Sequence, residues 1–80
     1  MIREKLEQII DYSKDLGLTL SIVFIENGVQ QKEHINFNNI SDIYICNDEN
    51  LMLYNELIKR WATINIANIA YIEIYEKVIY

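Results

Sequence analysis

The chain has 80 residues, 51% of them apolar, with twelve acids against seven bases and a net charge of −5. That is one small domain with a thin core, and its acidity speaks against binding by broad neutralisation of nucleic-acid phosphates, which needs clustered Lys and Arg. One Cys, one His, no Pro and two Gly leave no internal disulfide, no zinc site built from those two ligand types alone and no glycine-rich phosphate cradle.

The apolar residues come in short runs with neither a transmembrane span nor a signal-peptide layout, so a cytoplasmic protein is expected. Ile2, Leu6, Ile9 and Ile10 form one stripe at helical spacing, which predicts a helix over 2–16 capped by Gly17 in the left-handed conformation. Arg3, Glu7 and Asp11 lie on its other face with Glu4, Lys5 and Gln8, an ordinary solvated helix surface. From Leu18 the period changes to two. Leu18, Leu20, Ile22 and Phe24 share one face of a strand, with Thr19, Ser21, Val23 and Ile25 on the other. Asn27-Gly28 suits a type I′ hairpin, so the strand over 29–37 should pair back on the first. The only His, His34, lies in that strand without neighbours that would make it a base or a ligand, and it reads as a bystander.

Next comes a pattern that occurs twice. Residues 35–45 and 64–74, 29 apart, agree at six of eleven positions, including the Asn pairs Asn36/Asn65 and Asn39/Asn68. Within each copy the apolar spacing runs two, three, three, two, which predicts strand, one 3₁₀-type turn with Ile40 or Ile69 plugging the core, and strand. Between the copies, Asn47-Asp48-Glu49-Asn50 is a polar turn into the strand that begins at Leu51. Extending the 29-residue offset backwards lays 21–25 on 50–54, so the repeating unit is strand, strand, turn, strand. Residues 55–62 fit a strand, with a short helix as the alternative from the spacing of Leu53, Leu57, Ile58 and Trp61. The expected fold is α+β and mainly β: an N-terminal helix followed by a five- or six-stranded antiparallel sheet or small barrel built from two strand-turn-strand repeats, the β region covering 18–76.

No nucleophile motif or metal-ligand spacing is present, so neither an enzyme nor a cofactor is expected. Cys46, beside an alternating apolar run, reads as a buried small hydrophobe. If Ile43, Ile45, Ile72 and Ile74 face the core, alternation sends Asp42, Tyr44, Tyr71, Glu73 and Tyr75 outward together. With the acidic turn at Asp48 and Glu49, these residues are the candidate surface for a basic protein partner, Tyr supplying anchors and the acids steering.

The order of elements is that of small Sm-like barrels. Asn47-Asp48-Glu49-Asn50-Leu51-Met52-Leu53 is similar to their acidic turn and Asn-Leu strand, and residues 18–28 followed by 64–74 resemble the C-terminal half of YolD-like proteins. The resemblance implies a barrel fold and an accessory role in a phage or mobile-element setting. The function expected from residues and resemblance together is a non-catalytic acidic protein-binding module. It would be an inhibitor of anti-CRISPR or other anti-defence type, acting on a nucleic-acid-binding enzyme without touching nucleic acid or membrane. The alternatives are an Sm-like RNA-binding or YolD-like accessory protein, and a structural homo-oligomer.

Overall fold

The computed structural model describes residues 2–75. A helix, α1 (Arg3–Leu16), precedes six strands: β1 (Thr19–Glu26), β2 (Val29–Asn36), β3 (Ile40–Cys46), β4 (Asn50–Asn55), β5 (Arg60–Asn65) and β6 (Ile69–Tyr75). One-turn 3₁₀ segments, Phe37–Asn39 and Ile66–Asn68, join β2 to β3 and β5 to β6. The strands form two antiparallel three-stranded sheets, sheet A in the order β2-β1-β6 and sheet B in the order β3-β4-β5. The fold is therefore α+β and mainly β. Residue 76, the expected end of the β region, lies outside the described residues.

Local chemistry accounts for the elements. Helix α1 starts one residue later than its apolar stripe suggests, because Ile2 is extended and offers only its carbonyl, to the Leu6 amide at 3.2 Å. It ends in a Schellman arrangement: Gly17 sits at φ 66°, its amide donates to the Lys14 carbonyl, and the Leu18 amide donates to the Ser13 carbonyl at 2.8 Å. Asn27 and Gly28 both have positive φ (52° and 75°), as the type I′ hairpin between β1 and β2 requires. Asn47 and Asp48 do the same between β3 and β4 (54° and 58°), where short polar side chains stand in for glycine. Of residues 55–62, expected as strand with a short helix as the alternative, Asn55 and residues 60–62 are strand, and 56–59 are neither strand nor helix. They form a turn held by the Asn55 carboxamide oxygen, which accepts from the amides of Leu57 (2.9 Å) and Ile58 (3.3 Å).

The repeat is real, with two adjustments. Each 3₁₀ turn begins at Phe37 or Ile66, and Ile40 and Ile69 follow it as the first residues of β3 and β6. The turn starts there because the matched Asn caps it: Asn36 Oδ1 accepts from the Asn38 amide at 3.1 Å, and Asn65 Oδ1 from the Ala67 amide at 2.9 Å. The second adjustment is in register. Leu20 lies between Ile35 and Ile74 in sheet A, and Leu51 lies between Ile64 and Ile45 in sheet B. The outer strands thus repeat at 29 residues (Ile35 to Ile64, Ile45 to Ile74), but the first strand repeats at 31 (Leu20 to Leu51). The β1–β2 hairpin is two residues longer than its counterpart, and because the shift is even, every side chain keeps its face.

In each copy the third strand leaves its own hairpin at the 3₁₀ turn and pairs with the first strand of the other copy. Leu20, Ile22, Phe24 and Ile35 of sheet A meet Leu51, Leu53 and Ile64 of sheet B in one core, closed by Ile66, Ile69 and, from α1, Leu6 and Ile10. The helix has no counterpart in the second copy, where residues 47–49 take its place in the chain.

Candidate functional site

With the inward residues paired across one core, alternation leaves each sheet a separate outer face. On sheet B this face carries Asp42, Tyr44 and Cys46 from β3, Asn50, Met52 and Tyr54 from β4, and Trp61, Thr63 and Asn65 from β5. The register sets Asp42, Tyr54 and Trp61 in one row and Tyr44, Met52 and Thr63 in the next. The Trp61 ring meets Tyr54 at 5.3 Å between centroids and Tyr44 at 5.9 Å in an edge-to-face arrangement, the geometry favoured by ring quadrupoles. Trp61 nevertheless remains 50% exposed and Tyr44 45%. The neighbouring β4–β5 turn adds exposed Leu57 and Ile58.

The outer face of sheet A has the same frame and different chemistry. Its central residues, Ser21 and Val23, are completely buried, although they point away from the core. Lys32 and His34 flank them on β2, and Tyr71, Glu73 and Tyr75 flank them on β6. Ser21 Oγ and His34 Nδ1 are hydrogen-bonded at 2.7 Å, Lys32 Nζ pairs with Glu73 Oε1 at 3.1 Å, and the Tyr75 hydroxyl donates to Glu73 Oε2 at 2.6 Å. The Tyr75 hydroxyl and then Lys32 hold the Glu73 carboxyl below the usual carboxylate range. The same hydrogen bonds to Glu73 raise Lys32 and Tyr75. At the edge of this sheet, burial pushes the Glu33 carboxyl up.

The seven residues expected to form one partner surface therefore occupy three places. Asp42 and Tyr44 belong to sheet B, while Tyr71, Glu73 and Tyr75 belong to sheet A, because β3 and β6 cross to opposite sheets. Asp48 and Glu49 lie in the β3–β4 turn, where Asp48 is paired with Arg3 of α1. Tyr44 keeps aromatic company, but that company is Trp61 and Tyr54, which sequence reasoning passed over. Trp61, Thr63 and Asn65 alternate against Ala62 and Ile64 in β5, where residues 60–62 are strand as expected, but the outward row of that strand was not read. His34 is hydrogen-bonded to Ser21, and Cys46 is half-buried on an outer face rather than enclosed in the core.

Among the described residues, no cluster of His, Cys, Asp and Glu could hold a metal ion, and no helix is long and apolar enough to cross a membrane. No family model, curated protein or solved structure matches this chain.

Proposed function

We propose that this protein is a binding module that docks a basic protein partner on the outer face of sheet B. The observation that carries the reading is the aromatic cluster of exposed Tyr44 and Trp61 packed with half-buried Tyr54, Met52 beside it. Trp and Tyr are the side chains that most often anchor interfaces, since they offer large area at low entropic cost. Asp42 stands in the Trp61 row, and the net charge of −5 favours a basic partner and fast encounter with it. A basic surface of the kind that nucleic-acid enzymes present to their substrates fits this chemistry, and covering it would inhibit the enzyme.

The test is capture of partners on immobilised wild-type protein and on two variants. Trp61→Ala should lose a basic partner that Tyr71→Ala, on the other face, retains. An unchanged set of partners on Trp61→Ala would remove the aromatic face from consideration, and submicromolar binding of single-stranded RNA in a gel shift would replace the protein partner with a nucleic acid.

A further inference from the structure

Beside the aromatic face, α1 and β3 enclose a groove of about 380 Å³. Ile43, Tyr44 and Ile45 line it consecutively. Alternate strand residues point to opposite faces, so a groove that touches all three runs along the edge of the strand. That edge is open. β3 is the outermost strand of sheet B and pairs only with β4, which leaves one row of its backbone N–H and C=O groups without a strand partner. The opposite wall is one side of α1, with Arg3, Glu7, Asp11 and Lys14 along it, and the apolar floor joins Ile10 to Ile43, Ile45 and Leu51.

The charges here are unevenly spent. Arg3 pairs with both Glu7 and Asp48, so its guanidinium is already outnumbered by carboxylates. Asp11 on the helix wall and Asp42 on the outer face have no ion-pair partner among the described residues. Beyond Arg3, Lys14 is the groove's other cation, three residues past Asp11 on the helix and likewise without an ion-pair partner among the described residues. With Asp11 and Lys14 offsetting each other along the helix, the charge left over beside the open edge is the Asp42 carboxylate on β3.

We propose that this groove takes an extended peptide segment of a partner, alternately apolar and cationic, which adds to β3 as a further strand of sheet B. The inference rests on the protein-binding reading and specifies how the partner is held. Backbone hydrogen bonds to β3 supply the common part of the affinity. Apolar side chains settle on Ile10, Ile43, Ile45 and Leu51. Cationic ones emerge beside Asp42 and the Tyr44 ring, where a cation finds both a carboxylate and an aromatic face. A bare peptide fits better than a second copy of this chain, whose own β3 would bring a second α1 to the same edge.

The experiment is an amide NMR titration of the full chain with a short peptide alternating Val and Lys. Its controls are the Val and Glu counterpart and two versions N-methylated on one or the other alternate set of residues. Shifts are expected at residues 42–46 and at Ile10. Binding should be weaker by at least about ten-fold for the Glu peptide and for one methylated version only, because an added strand pairs with β3 along one of its two edges. Asp11→Lys with Asp42→Lys should erase the preference for Lys. Absence of shifts in β3, equal tolerance of both methylated versions, or sedimentation showing that the chain dimerises through β3 would each overturn the proposal. Trp61→Ala keeps the two readings apart. Trp61-dependent capture with a failed titration sinks only the groove, and a successful titration with Trp61-independent capture sinks only the aromatic face.

Discussion

The outer faces of the two sheets share a frame and differ in almost everything the frame carries. Glu73 occupies on sheet A the position that Tyr44 occupies on sheet B, and the completely buried Val23 and Ser21 stand where sheet B has the partly exposed Tyr54 and Met52. Sheet A spends its polar groups on one another, through the Ser21–His34 and Lys32–Glu73–Tyr75 contacts, and they roof over the central strand. On sheet B the rings pack only on their neighbours and leave half of Trp61 in solvent. A repeat constrained inside by a common core is thus free to diverge outside. The face whose clustered rings, Trp61 above all, stay half in solvent is the better candidate for a partner.

The largest effect tests the sameness of the interiors. Leu20 and Leu51 are equivalent and both fully buried, so Leu20→Ala and Leu51→Ala should each cost about 2–5 kcal/mol in urea denaturation. The two losses should be alike. A gap of several kcal/mol would mean that α1, which has no counterpart in the second copy, makes the halves energetically unequal.

Next in size is the difference between the exteriors. Trp61→Ala should weaken the complex with a partner by about 2 kcal/mol or more, as loss of a central anchor does, with Tyr44→Ala acting in the same direction and Tyr71→Ala near neutral by calorimetry. Equal losses from Tyr44 and Tyr71 would place the partner across both sheets. A smaller effect concerns the paired caps. Asn36→Ala and Asn65→Ala each remove an acceptor from an exposed turn amide and should cost about 1 kcal/mol apiece, read as matched shifts in thermal midpoint.

The smallest effect is one of pH and belongs to sheet A alone. The Glu73 carboxyl is depressed, so its contribution to stability is present above its unfolded pKa and is lost as pH falls through the lower folded one. Lys32 and Tyr75 are raised. Their contributions are present below their unfolded values and are lost as pH rises through the folded ones. Glu33, raised by burial, acts against Glu73, since protonation relieves its desolvation. Glu73→Gln should therefore flatten both the acid and the alkaline limbs of a stability profile, and Met52→Leu on sheet B should leave them unchanged. A profile that Glu73→Gln does not alter would show the network to be incidental.

What the sequence determined was everything that depends on near neighbours. The stripe of Leu6 and Ile10 makes α1, Asn27-Gly28 supplies the positive φ of a hairpin, and the alternation of Leu20, Ile22 and Phe24 separates inside from outside. The repeated Asn36 and Asn65 mark two equivalent turns. Each of these follows from backbone geometry within a few residues, and so it was legible. The tertiary structure decided which outward residues stand side by side. Alternation states that Tyr44 and Tyr71 point away from the core, yet it says nothing of which sheet they join, and the crossing of β3 and β6 sends them apart. The meander of β3, β4 and β5 brings Trp61 beside Tyr44 from seventeen residues away, and the longer β1–β2 hairpin shifts the first strands by two residues against the repeat. Pairing partners are chosen by burial summed over the whole core rather than by any local preference. A surface assembled from three strands exists only once that choice has been made.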